Sequence, residues 1–176
     1  MIRIIKTTVV ITAVSLMAFA QAKTSGDGPL QRLQFLIGDW TASGDTQLGA
    51  GQGGFSFRPE LDGRIWVRRN FAEYTTGKAA GTRHDDLMVI YADQRADKPQ
   101  AMYFDSEGHV IHYIVSFPRE NTAIFESDTS QAGPKYRLSY VLAGNVLSGK
   151  FEVAPPGQDF KVYLEWKSKR SAAKPY

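Results

Sequence analysis

Residues 101–117 run Ala101-Met102-Tyr103-Phe104-Asp105, then Ser106-Glu107-Gly108-His109, then Val110-Ile111-His112-Tyr113-Ile114-Val115-Ser116-Phe117. Two stretches rich in aromatic and β-branched residues flank a short polar turn that contains glycine, which is the pattern of a β-hairpin. No apolar spacing of three and four persists across it, so a helix is excluded. The same texture extends in both directions. Strands are expected at Trp40–Gln47, Gly53–Arg58, Arg64–Tyr74, Asp86–Asp93, Ala101–Asp105, Val110–Phe117, Ala123–Ser127, Tyr136–Leu142, Val146–Val153 and Phe160–Lys167. Tight turns at Leu61-Asp62-Gly63, Ser106-Glu107-Gly108 and Ala143-Gly144-Asn145 join several of them, and longer glycine-containing links span Thr75–Asp85 and Asp128–Lys135.

No helix-length segment interrupts this series, so parallel β-α-β architecture is ruled out. The chain reads as all-β: an antiparallel up-and-down β-barrel of about ten strands, with a two-sheet sandwich as the competing arrangement. A sheet this wide curls, and closure removes its exposed edges.

Upstream, Pro29 stands at a plausible first helical position, Leu30, Leu33, Leu36 and Ile37 recur at helical spacing, and Gly38 stops the run. A two-turn helix is too short to persist alone, so it is expected to close one end of the barrel. Further upstream, Arg3 and Lys6 precede an uncharged run that ends in Ala20-Gln21-Ala22. That is the layout of an export signal, and the run falls short of the roughly 20 apolar residues of a spanning helix. The expected organisation is a signal peptide at 1–22, a flexible leader at 23–28, one barrel domain at 29–170 and a tail at 171–176. A periplasmic or secreted location follows, with no membrane span after processing.

The chain contains no cysteine. Thiol nucleophiles, zinc–thiolate sites and redox dithiols are therefore excluded, and the core must hold the fold without disulfides. The formal charge of +3 includes Arg3 and Lys6, and the remaining basic residues are scattered. A nucleic-acid partner needs a basic stripe, and none is expected here.

Gly38-Asp39-Trp40 after a short helix resembles the Gly-x-Trp signature of the lipocalins and the wider calycin superfamily. The resemblance implies a barrel end closed by Trp40, with a basic residue near the last strand over its ring, Arg170 in preference to Lys169. Gly38-Asp39-Trp40-Thr41-Ala42-Ser43-Gly44 is also similar to the opening of nitrobindin-type haem barrels, Ala42 departing from that pattern and Gly44 agreeing with it. In that group a late histidine ligates the haem. No histidine follows His112 here, so no haem or other cofactor is expected. In texture the chain resembles small exported bacterial members of the superfamily with no assigned activity.

Alternation across Arg64–Tyr74 sends Arg68 and Arg69 to opposite faces, so one of them points into the barrel. An interior guanidinium needs a partner. It is either a structural ion pair, with Glu73 or an acid on a neighbouring strand, or the anchor of an acidic ligand head. By the same logic either His112 or Tyr113 lines the interior. The candidate ligand-binding set is Arg68, Arg69, Trp66, Tyr103, His112 and Tyr113. His84-Asp85-Asp86 with Asp105, Glu107 and His109 is the densest group of potential ligands. It reads as a solvated rim loop, so no metal is expected. Gly49-Ala50-Gly51-Gln52-Gly53-Gly54 opens no helix and fails as a dinucleotide fingerprint; it reads as a flexible hairpin or a lid.

No catalytic residue is assigned. The expected function is an exported barrel that holds a small hydrophobic or amphipathic molecule with an acidic head as one option. The alternatives are an isomerase, lyase or hydrolase using His112 or rim carboxylates for acid–base chemistry, and a filled barrel acting as a protein-interaction module.

Overall fold

The computed structural model describes residues 28–128 and 133–172. The export signal, nearly all of the leader and most of the tail fall outside the described residues. No helix among the described residues is long and apolar enough to cross a membrane.

Ten antiparallel strands close into an up-and-down barrel, each pairing with its neighbours in sequence and the last with the first. They are β1 (Gly38–Thr46), β2 (Gly49–Glu60), β3 (Ile65–Tyr74), β4 (Arg83–Tyr91), β5 (Gln100–Asp105), β6 (Val110–Ser116), β7 (Thr122–Ser127), β8 (Lys135–Ala143), β9 (Val146–Ala154) and β10 (Lys161–Arg170). Closure excludes the sandwich.

The N-terminal helix is a correction. Gln31–Leu36 is a 3-10 turn rather than an α-helix, with amide-to-carbonyl bonds from Leu33 to Leu30 and from Ile37 to Gln34. Leu30, Leu33 and Leu36 are spaced by three, which is the 3-10 period, so all three fall in one row. They are 5%, 0% and 0% exposed. This row, Trp40, Phe57, Trp66, Ile90 and Val115 belong to one continuous apolar core. Around the same end the Trp40 indole donates to the Leu36 carbonyl at 2.9 Å, and Arg32 lies 5.0 Å from the Phe117 ring.

Several strands start earlier than the sequence suggests, β2 and β4 by the most. Gly49–Gly54 is the opening of β2, not a free loop. Its glycines serve close backbone approach: a Cβ on Gly49 would sit 1.8 Å from the Thr76 carbonyl oxygen, and one on Gly77 would sit 2.6 Å from the Gly49 Cα. The β3–β4 connection is thereby latched onto the start of β2. The Thr75 amide donates to the Ala50 carbonyl at 2.8 Å and the Ala79 amide to the Leu48 carbonyl at 3.1 Å, while the Ala50 amide donates to the Thr76 hydroxyl at 2.9 Å. In the same way β4 begins at Arg83, so His84-Asp85-Asp86 lies in a strand rather than a solvated loop.

Candidate functional site

Strand β3 decides what faces inward. Its pairing with β2 and β4 places Trp66, Arg68 and Asn70 on the inner face and Arg69 on the outer one; Arg68 is buried and Arg69 exposed. The Arg68 guanidinium is 4% exposed and forms an ion pair with Asp86, also 4% exposed, through Nη1 and Oδ1. Asp86 sits opposite Asn70 in the β3–β4 register, so the arginine reaches it diagonally. Asn70 Nδ2 donates to the other carboxylate oxygen at 2.8 Å. The interior guanidinium is thus met by an acid of the neighbouring strand.

From Asp86 a chain of polar contacts runs to the rim of the barrel. His84, two residues earlier on the same face, places Nε2 3.3 Å from Asp86 Oδ2 and Nδ1 2.8 Å from Glu107 Oε2. The Tyr103 hydroxyl lies 3.2 Å from His84 Nε2 and donates to Asp105 Oδ2 at 3.4 Å. Asp105 also holds the β5–β6 turn, accepting from the amides of Glu107 at 3.1 Å and His109 at 2.8 Å and pairing with the His109 ring at 2.8 Å. Ligand atoms of His84, Asp105 and Glu107 lie within 4.8 Å of one another.

These contacts shift the protonation of the groups involved. The hydrogen bond to Asp86 raises the His84 pKa above its ordinary 6.5, burial opposing it and the charges of Asp86 and Glu107 adding to it. Burial, reinforced by the Asp86 charge, pushes the Tyr103 phenol far up, and burial does the same to Tyr113. The fully buried Tyr140 is pushed up to about 12 by the same cause. All three tyrosines are therefore neutral hydroxyls at physiological pH.

The network forms one side of a cavity of about 1350 Å³. Phe55, Tyr113, Leu138, Phe151 and Trp166 contribute apolar wall, and Arg68, Asp86, His84, Tyr103, Asp105 and Glu107 the polar side. The barrel is therefore not filled. Two of its lining rings stack edge-on against core aromatics, Tyr113 on Phe125 with centroids 6.3 Å apart and Trp166 on Tyr140 at 6.1 Å. Trp166 reaches this position because Gly149 has no side chain; a Cβ there would lie 2.2 Å from the indole.

Of the residues singled out from sequence, Arg68, Tyr103 and Tyr113 line the cavity. Three do not. Arg69 and His112 are exposed on the outer face, so the interior positions belong to Arg68 and Tyr113. Trp66 is 4% exposed but lies in the core rather than on the cavity wall. Gly38, Trp40 and Arg170 do come together: the Arg170 guanidinium lies 4.4 Å from the Trp40 ring and donates to the Ile37 carbonyl and, at 3.3 Å, to that of Phe35. A Cβ on Gly38 would lie 2.5 Å from the Arg170 Nη1, so glycine is needed there for the arginine to pass.

The histidines do not suit a haem iron within the barrel. His112 is outside, His109 is engaged by Asp105, and both His84 nitrogens have partners.

Sequence reasoning set aside His84, Asp86, Asp105 and Glu107 as a loop. The signal that unites them is register. Asp86 pairs with Asp105 across β4 and β5, so the like-facing His84 and Tyr103 join them, and the turn after β5 brings in Glu107.

No protein-family model and no curated protein matches this chain. Among solved structures, that of Rv2717c from M. tuberculosis is similar, with a TM-score of 0.61 and 14% sequence identity over 82% of this chain and 98% of that one. At that identity the likeness extends to the fold alone.

Proposed function

We propose that this protein is an exported calycin-like barrel that holds a small amphipathic molecule. The observation that carries the reading is the cavity of about 1350 Å³, whose lining combines aromatic and aliphatic side chains with the hydrogen-bonded group around His84 and Asp86. Ligand sites combine an apolar enclosure with a few placed polar groups. Tyr113, Leu138, Phe151 and Trp166 would surround the body of the molecule, and Tyr103, His84 and Asp86 would meet its polar end.

The polar side favours a neutral or cationic end over an acidic one. On this side Arg68 is already matched by Asp86, and two further carboxylates, Asp105 and Glu107, line the cavity beside it. An acidic head placed there would have to displace Asp86 or lie next to those carboxylates.

N-phenylnaphthylamine, a neutral fluorophore that brightens in apolar surroundings, tests this. Saturable brightening is expected with the wild type and is expected to weaken with Ala72→Trp, which narrows the cavity at β3. No brightening with the wild type overturns the reading. Export is tested by recovering the protein from the periplasm or medium with its first residue near Lys23.

An acid–base enzyme on the same scaffold is the second reading, favoured by the Tyr103 hydroxyl 3.2 Å from His84 on the cavity wall. His84 takes the place that sequence had given to His112. A bound molecule recovered unchanged after incubation supports binding; a converted one supports catalysis, and His84→Gln would then stop the conversion.

A further inference from the structure

The barrel wall is not equally closed all round. Strands β1 and β10 share a ladder at only two positions, Trp40 with Arg170 and Thr41 with Lys169. By contrast β1 and β2 pair from Gly38 to Thr46, and β8 and β9 from Lys135 to Ala143. Beyond Thr41, β1 continues for five residues without a partner position on β10. At the far end Gln47, just past β1, donates from Nε2 to the Tyr163 carbonyl. A slot roughly 16 Å long results, at about 3.3 Å per residue.

The cavity passes into this slot. Alternate residues of a strand face inward, yet the lining takes in consecutive residues of both edges, Ala42, Ser43 and Gly44 on β1 and Tyr163, Leu164, Glu165, Trp166 and Lys167 on β10, as it also does over Gly51–Phe55 of β2. It continues onto Ser139 and Lys150, which share the outer face with Lys167 and Glu165 by register. The volume exceeds the roughly 300–1,000 Å³ of ordinary ligand pockets because part of it lies outside the wall. Gly44, with φ of 140°, borders empty space: nothing lies within 4 Å of where its Cβ would be. The β3–β4 connection, latched to the start of β2, contributes Lys78, Ala79 and Thr82 to the lining.

We infer that the β1–β10 seam is a side entrance to the cavity, and that the molecule held inside is slender, flat or chain-like, so that it passes between two strand edges. Several features bear on this assignment: the seam has the shortest ladder of the barrel, small side chains on its β1 edge, and continuity with both the interior and an outer groove. The inference rests on the binding reading for its ligand, but the seam itself is observable without one.

Because the chain has no cysteine, Ser43→Cys with Lys167→Cys introduces the only two thiols, at positions facing each other if the β1–β10 register continues. Stopped-flow mixing with N-phenylnaphthylamine is done on the double variant, free and after closure with a short bismaleimide. Closure is expected to slow uptake at least tenfold relative to the same double variant left open; equal rates before and after closure overturn the inference. If the wild type takes up no fluorophore, the binding reading fails, and amide hydrogen exchange decides the seam. Within Ala42–Thr46 and Leu164–Lys167, the amides that point away from the β2 and β9 ladders are expected to exchange at least tenfold faster than those of the β8–β9 ladder, and equal protection overturns the inference.

Discussion

Arg68 and Asp86 form an ion pair diagonally across β3 and β4, inside the barrel and 4% exposed each. This contact connects the folding of the wall with the chemistry of the cavity. Taking two charges out of water costs several kcal/mol each, and only close pairing with further hydrogen bonds offsets it. The Asn70 amide supplies such a bond at 2.8 Å.

Removing one partner exposes that cost. Asp86→Leu leaves a buried guanidinium without its counter-charge and is expected to destabilise the fold by about 3–5 kcal/mol. Arg68→Leu with Asp86→Leu should regain most of the loss, since the site then becomes apolar. Urea unfolding midpoints check both. A single-variant loss below about 1 kcal/mol, the level of exposed pairs, would mean that water reaches the guanidinium.

His84 makes stability depend on pH. Its folded pKa lies above the ordinary 6.5, first through its hydrogen bond to Asp86. The stability it lends is therefore fully present below the unfolded value and is lost as pH rises through the folded one. Thermal unfolding midpoints should fall between mildly acidic and mildly alkaline pH, and His84→Gln should flatten that fall. A wild type whose midpoint rises over the same window contradicts the assignment.

At the closed end, Arg170 stacks 4.4 Å from Trp40 and donates to two carbonyls of the N-terminal turn. Arg170→Met is expected to cost about 1–2 kcal/mol, from the cation–π contact and the two lost bonds to backbone carbonyls. Arg170→Lys should not restore it, because a point charge cannot stack and fork at once. Full stability in the lysine variant would show that charge alone matters.

Gly149 gives a test of the cavity wall. Its Cβ would fall 2.2 Å from the Trp166 ring, so Gly149→Ala should force the indole to move and cost about 1–3 kcal/mol. Trp166→Leu in the same chain should relieve it. A tryptophan emission spectrum unchanged by Gly149→Ala would mean that the ring does not lie on the glycine.

Much of the barrel was legible in the sequence because turns punctuate it: Leu61-Asp62-Gly63 and Ser106-Glu107-Gly108 mark where strands end. The inner face was less legible. Strands β4 to β6 carry apolar residues on both sides, with Phe104, Val110 and Ile114 exposed at 37%, 53% and 41%. Alternation therefore could not choose between His112 and Tyr113. The choice between Arg68 and Arg69 needed the register with β4, which brings Asp86 within reach of one and not the other. The glycines of Gly49–Gly54 imitate a loop, yet serve close approach by the neighbouring backbone. The 3-10 turn was present as the spacing of Leu30, Leu33 and Leu36, a period of three easily taken for the α-helical three-and-four.

The central claim is that the barrel encloses a molecule. Native mass spectrometry on protein purified without denaturation from the cells that make it tests this most directly. An adduct of a few hundred daltons, neutral or basic in character, is expected on the wild type and is expected to be less abundant on Ala72→Trp. A wild-type protein that carries no adduct, and that also fails to brighten N-phenylnaphthylamine, would contradict it.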